Sequence, residues 1–296
     1  MKAVRTAVIP AGGLGTRFLP FSRSVPKELL PLVDTPVIDA VVSECAASGI
    51  ERVVLVISPG KESLAAYFRP SPRAEARLRA EGRTAEVAAL TRAERLATVD
   101  VVVQDEPRGN GHAVLVAREA VGEEPFALLW GDDLVVGETP ALRQLLDARD
   151  RLGGSAAGAA RVGADRISRY GVFAGRPERG AFRVSAMVEK PAAADAPSDL
   201  AAIHGYVLEP AIFGILGTLP PGRGGEIWLV DAVSRLAARE PVWAVELAGE
   251  RYDAGDRAGY VAAFVDRALE REDVGPGLRE HLRTRGWRPP EPEDRP

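Results

Sequence analysis

The sequence is poor in cysteine, lysine and long apolar runs, and each shortage narrows what the chain does. One cysteine among 296 residues, Cys45, leaves no internal disulfide; within VVSECAA it reads as a small buried apolar side chain in a reducing compartment. Cations are not in excess either. Lys plus Arg number 38 against 42 Asp plus Glu, a net charge of -4, so no basic field draws nucleic acid and any anion must be held locally. No segment supplies the roughly 20 consecutive apolar residues of a membrane span. The start, MKAVRTAVIPAGG, runs into a strand pattern without the apolar core of a leader. A cytoplasmic protein with no membrane and no nucleic-acid partner is expected. Lysine occurs only at Lys2, Lys27, Lys61 and Lys190, all other basic residues being arginine. Such a skew usually reflects codon bias rather than function, and it only tilts a retained lysine toward places where the planar arginine fork does not fit.

What is present is a globular pattern, 46% apolar. TAVIP, RVVLVIS, VDVVVQ and FALLWGDD read as buried strands alternating with helical periodicity, which predicts βαβ units and a parallel sheet. One helix is predicted with Thr35 as its cap, Pro36 in first position, Val37, Val41, Val42 and Cys45 on one face, and Gly49 past its end. Residues 73–97 read as one or two exposed helices with a thin stripe at Leu78 and Leu90. From about 155 the strands shorten (AAGAARV, YGVFAG, FRVSAMVE, AIHGYVL) and predict an antiparallel or mixed part, followed by helices near 209–217 and 227–239. Residues 256–284 read as helical, with Asp256 as N-cap and Tyr260, Phe264, Val265, Ala268 and Leu269 as the buried stripe. The organisation expected is one domain over 1–284, a nucleotide-binding half to about 150 and a sugar-binding and helical half after it, with 285–296 as a mobile tail.

The stretch AGGLGTRFLPFSRSVPK, Ala11 to Lys27, follows the first strand and places backbone N–H groups where a phosphate or nucleotide can approach. Two familiar versions fail on the letters. Phe18 breaks the GxGxxG dinucleotide pattern and the next strand ends at Ser58, not at an acidic residue; no GxxxxGK[ST] pattern is present. What remains is GxGTR, Pro20, then Pro26-Lys27-Glu28 and the prolines Pro31 and Pro36.

Those residues resemble the sugar nucleotidyltransferases, specifically the bacterial UTP:glucose-1-phosphate uridylyltransferases, whose signature is close to AGLGTRxLPxTKxxPKExLPxxxxPxI. The likeness continues in order through QDEPRGNGHAVL, LLWGDDLV, SRYGVF, VEKP, YVL and YDAGDRAGY, over roughly residues 4–270. It implies a Rossmann-like (GT-A-like) α/β fold: a mixed, mostly parallel sheet flanked by helices, with a smaller β-rich sugar-binding part. It also implies attack of a sugar-1-phosphate oxygen on the α-phosphorus of UTP, giving UDP-glucose and pyrophosphate with Mg²⁺, in a homodimer or homotetramer.

Carried over residue by residue, the resemblance gives Ala11, Gly12, Gly13, Gly15 and Thr16 to the nucleotide. Arg17 goes to the departing β and γ phosphates and Lys27 to the α-phosphate. Gln104 and Gly109 go to the uracil edge, Asp132 and Asp253 to Mg²⁺, and Gly171, Glu189 and Lys190 to the sugar and its phosphate, Lys190 being the phosphate's cation. Arg23 has no clear task. Asp133 reads equally as a turn residue, His112 as a structural hydrogen-bonding group, and the Glu189-Lys190 pair, without the resemblance, as an ordinary exposed pair.

The pattern departs in two places near the sugar. The family's GRY is His204-Gly205-Tyr206, and its EIQLTDA is Glu226-Ile227-Trp228-Leu229-Val230-Asp231-Ala232. An imidazole at 204 is expected to crowd the sugar pocket, and together with Trp228 and Val230 it leaves the preferred hexose open. dTTP in place of UTP, or a non-catalytic nucleotide-sugar-binding regulator, are the alternatives.

Overall fold

The structure is a computed structural model and describes residues 1–286. The four apolar runs of the first half form the strands Thr6–Pro10, Arg52–Ile57, Thr98–Val103 and Phe126–Leu129. They lie side by side in the order 98–103, 52–57, 6–10, 126–129, all parallel. Strand Leu200–Leu208 then joins 126–129 antiparallel, and the sheet continues through Ser155–Arg161, Val242–Glu246, Ala181–Glu189 and Gly171–Glu178 to nine strands. The second half is therefore built onto the parallel half as one mixed sheet.

Both faces of the three inner parallel strands are covered, which is why their sequences are continuous apolar runs rather than alternations. Thr98–Val103, read as buried, is instead the edge strand and only partly covered, with Val103 44% exposed. Val8, Val54, Val56, Phe126 and Leu128 face one core, roofed by helices Asn110–Val116, Ala211–Leu216 and Leu229–Ala237. Ala7, Ile9, Val53, Leu55 and Ile57 face the other, under helices Val37–Ala47, Ala141–Leu152 and Arg257–Glu270. Each large aliphatic or aromatic side chain so buried contributes about 1.5–3 kcal/mol. The Phe126 and Phe213 rings stack at 4.9 Å in the first of these cores.

Several local expectations shift. Helix Val37–Ala47 is capped by Pro36, because Thr35 and Pro36 pair with Leu32 and Pro31 in a two-stranded ribbon, so Thr35 is not its cap. The 73–97 region folds as helices Pro72–Ala80 and Thr84–Arg92; Leu90 stays 37% exposed while Val87 and Thr91 are buried. The C-terminal helical region breaks into Arg257–Glu270 and Gly275–Thr284. Asp256 does cap the first of these, its Oδ1 accepting from Ala258 N at 2.9 Å and Gly259 N at 3.0 Å. All but the first two residues of the expected tail lie outside the described residues.

FALLWGDD is not one strand. It ends at Leu129, turns through Trp130 to Asp132, and restarts as Asp133–Val136, which pairs antiparallel with Glu250–Asp253. This ribbon, with Asp133 opposite Asp253, brings a segment 120 residues downstream to the end of the parallel sheet.

Candidate active site

Every parallel strand delivers a chemistry-bearing residue at its carboxyl end, the edge where open α/β sheets bind ligands. Thr6–Pro10 leads into Ala11–Arg17, Arg52–Ile57 into Lys61, Thr98–Val103 into Gln104, and Phe126–Leu129 into Asp132. The loops are pinned where they leave: Ala11 N donates to Val56 O at 2.7 Å and Gln104 N to Ile57 O at 2.8 Å.

Gly15 has φ 65°, and a Cβ there would lie 3.2 Å from that of Ser22, whose hydroxyl donates to Gly15 O at 2.7 Å. Glycine is required on both counts, conformation and space. Arg17 Nη1 donates to Gly255 O at 3.1 Å, and Arg257 Nε donates to Arg17 O at 2.6 Å, so the loop is closed by the same C-terminal segment that carries Asp253. Arg23 is exposed in the neighbouring turn.

Lys61 and Glu28, which carry no role in the motif pattern, lie beneath this loop. The Lys61 ammonium donates to Ala11 O at 2.6 Å and to Glu28 Oε2 at 3.1 Å. Burial raises the Glu28 carboxyl and lowers the Lys61 ammonium, and each partner's charge opposes that shift. Glu28 follows Lys27 in the single 3₁₀ turn Lys27–Leu29, so this anchor sets the position of Lys27. The available signal was lysine scarcity: three of the four lysines, Lys27, Lys61 and Lys190, stand at this edge of the sheet.

Lys27 Nζ ion-pairs Asp132 Oδ2. Asp132 and Asp253 converge on Gly255, where a Cβ would collide with Asp132 Oδ2 and lie 3.0 Å from Asp253 Oδ1. The Asp253 carboxyl is raised by burial and then by the negative charges of Asp132 and Asp133. Two partly buried carboxylates pressed together in this way suit a hard divalent cation. No group of three or more His, Cys, Asp or Glu suited to a metal occurs among the described residues. Two carboxylates completed by phosphate oxygens and water are how Mg²⁺ is usually held, so the residues present fit it.

Of the residues the resemblance gives to uracil, Gln104 is 7% exposed, and its amide nitrogen donates to His112 Nδ1 at 2.8 Å and Gly109 O at 3.4 Å. With Nδ1 accepting, His112 is neutral, in line with a pKa lowered by burial and by Arg108. The Gln104 carbonyl oxygen is turned toward Gly12, where a Cβ would lie 3.5 Å from it. Gly109 has φ 95°, and a Cβ there would meet Ile227 O at 2.7 Å, so any other residue would push the 226–229 segment away.

Of the residues the resemblance gives to the sugar, Gly171 and Glu189 are register partners, and a Cβ on Gly171 would lie 3.4 Å from Glu189 Oε2 and 3.1 Å from Val230 Cγ2. Lys190 Nζ lies 3.3 Å from Glu189 Oε1. All the residues assigned by motif thus stand along one edge of the sheet or on the loops above it.

The expectation for His204 is overturned. Its side chain is fully buried and points away from Gly171 and Glu189, with Nδ1 3.1 Å from Asp133 O and Nε2 3.0 Å from Glu44 Oε1. It sits where the register of strand Leu200–Leu208 shifts, at φ 62°, and its ring reaches Glu44 on helix Val37–Ala47. Asp133 is structural: it accepts a bidentate pair from Arg251 Nε and Nη2, both 2.8 Å, and a bond from His204 N at 2.8 Å. Arg251 in turn donates to the Tyr170 hydroxyl at 3.0 Å.

Burial works to lower the His204 pKa, but the Glu44 and Asp133 charges outweigh it and the net direction is upward from 6.5. A raised histidine contributes stability that is fully present below its unfolded pKa and is lost as pH rises through the folded one. Wild-type melting temperature is therefore expected to fall as pH is raised above 6.5, and His204→Gly, whose backbone suits φ 62°, to flatten that fall. Parallel pH profiles for the two proteins above 6.5 would show that folding does not raise the His204 pKa.

The Nucleotidyl transferase family matches residues 6–269 of this chain. UTP–glucose-1-phosphate uridylyltransferase YngB of Bacillus subtilis (strain 168) is 42% identical over 282 residues, 95% of each chain. A UDP-glucose pyrophosphorylase solved with UDP-glucose aligns at TM-score 0.81 and 34% identity, covering 91% of this chain and all of the other. The UTP-bound enzyme from Acinetobacter baumannii aligns at TM-score 0.87 and 33% identity, covering 95% and 99%. With the loop, the paired carboxylates and the motif lysines on one sheet edge, the chain belongs to the Nucleotidyl transferase family and, within it, to the UTP–glucose-1-phosphate uridylyltransferases.

Proposed function

We propose that this chain transfers the uridylyl group of UTP to glucose 1-phosphate. A phosphate oxygen of the sugar attacks the α-phosphorus in line; a new P–O bond forms, the bond to the β-phosphate breaks, and pyrophosphate leaves. The attacking phosphate is already an anion at neutral pH, so no general base is needed. The obstacle is repulsion between two highly charged substrates. Each pair of unit charges about 4 Å apart costs about 4 kcal/mol at an effective dielectric of 20. Cations placed in advance lower that barrier.

The carrying observation is the convergence of Lys27, Asp132 and Asp253 on the space beside Gly255, at the mouth of the glycine loop. Asp132 and Asp253 would hold Mg²⁺, which when bound neutralises phosphate charge as it develops. Arg17 and the N–H groups of Gly13 to Thr16 receive the β and γ phosphates, and Lys27 stands by the α-phosphate. Gln104 and the Gly109 backbone read uracil, with Ala11 and Gly12 beneath the nucleoside. Glu189 accepts from sugar hydroxyls over Gly171, and Lys190 pairs the sugar phosphate. On the same reading the chain works as a cytoplasmic homodimer or homotetramer; no helix among the described residues is long and apolar enough to cross a membrane.

The test is pyrophosphate release with UTP, Mg²⁺ and a panel of hexose 1-phosphates, with dTTP as the competing nucleotide. UTP with glucose 1-phosphate is expected to give the highest kcat/KM. A protein that binds UTP but releases no pyrophosphate with any sugar phosphate would be a binder, not an enzyme. Trp228 and Val230 stand where the family pattern has Gln and Thr, so the panel also measures how far an apolar wall alters the choice of sugar.

A further inference from the structure

Lys190 is the most exposed of the three site lysines, its side chain 53% accessible, and sits on a backbone at φ 46° anchored by its N–H to Tyr170 O at 2.9 Å. A long ammonium side chain so placed samples many rotamers, and freezing one opposes binding. Its Nζ lies 5.6 Å from the centroid of the Trp228 ring, within the range in which an aromatic face attracts a cation.

Trp228 is itself held by the nucleotide loop. It caps helix Leu229–Ala237, and its neighbours are tied to residues 108–111. Ile227 N donates to Arg108 O at 2.8 Å, Gly111 N to Ile227 O at 2.9 Å, and Leu229 N to Asn110 Oδ1 at 2.9 Å. Gly109 and Gly111 leave no slack, since a Cβ on either would come within 2.8 Å of Ile227 O. One segment therefore packs on the loop assigned to uracil and presents a ring to the lysine assigned to the sugar phosphate.

We propose that Trp228 is a positioning residue for the sugar phosphate: its ring face holds the Lys190 ammonium in place, where the family pattern has an amide. A ring attracts the charge without occupying the N–H donors in the direction of the phosphate, whereas a glutamine oxygen would consume one. Because Trp228 is fixed by residues 108–111, Lys190 is placed relative to the bound nucleotide. The inference rests on the reading of Lys190 as the sugar-phosphate cation.

Full-length Trp228→Gln, Trp228→Leu and Trp228→Phe test it through KM for each substrate and calorimetric affinities for UDP-glucose and UTP. The Gln and Leu variants are expected to raise KM for glucose 1-phosphate about 3- to 10-fold and to weaken UDP-glucose similarly, with UTP within about twofold; Phe, keeping an aromatic face, stays within about threefold of wild type. Trp228→Gln added to Lys190→Ala should cost little more than Lys190→Ala alone, the non-additivity of a shared interaction. An unchanged KM in Trp228→Gln, a Leu variant as good as wild type, or equal losses for UTP and glucose 1-phosphate overturns the proposal. Wild-type protein that binds UTP but neither turns over nor binds UDP-glucose refutes the reaction itself, and the proposal with it.

Discussion

Asp132→Asn is expected to lower turnover by about a thousandfold, equivalent to about 4 kcal/mol of transition-state stabilisation, because it removes one of two carboxylates that fit the metal while keeping the side chain's shape. The loss should appear at saturating Mg²⁺ and be absent from UTP affinity measured without metal, since the loop N–H groups and Gln104 are untouched. The Lys27 ammonium also loses its ion-pair partner, so a modest gain in metal-free UTP binding is expected. Steady-state pyrophosphate release across a Mg²⁺ titration is the measurement. Turnover within tenfold of wild type would remove Asp132 from the metal's ligands and leave Asp253 to be tested alone.

Lys27→Ala is expected to lower kcat by about 100- to 1,000-fold, the cost of removing one preorganised charge from a phosphoryl-transfer site, with KM for both substrates changed little. The distinction from Lys190 is geometric. Lys27 lies against Asp132, at the centre of the carboxylate pair, while Lys190 lies beyond Glu189 on the strand that ends in Gly171's partner. Loss of Lys27 should therefore show in the chemical step and loss of Lys190 in the use of the sugar phosphate. A Lys27→Ala enzyme with normal kcat and a raised KM for glucose 1-phosphate would exchange the two assignments.

Much of the site is legible in the letters because its parts are short and local. Gly15, Arg17, Pro26 and Lys27 lie within one loop, and Asp132 follows an unmistakable buried strand. The scarcity of lysine singles out the same region, but only the fold seats the Lys61 ammonium on Ala11 O and Glu28. Proximity in sequence to a pocket residue does not fix where a departure from the family pattern points. His204 looked like a sugar-pocket residue because it neighbours one in sequence; a register shift at φ 62° turns it to the opposite side, onto Glu44. Trp228, the other bulky departure, does face Lys190.

The alternation of strands and helices in the first half, the glycine-rich loop and the likeness to uridylyltransferases follow from sequence alone, since apolar runs and a loop's glycines are recorded in neighbouring residues. Pairing over long separations is not so recorded. That Asp253 stands opposite Asp133, that Gly255 closes on Arg17, and that residues 226–229 are fastened to 108–111 depend on how a nine-strand sheet brings distant edges together. Only the folded backbone decides which way a side chain such as that of His204 points. Period-2 alternation assigns a residue to a face only while the register holds, and at 204 it does not.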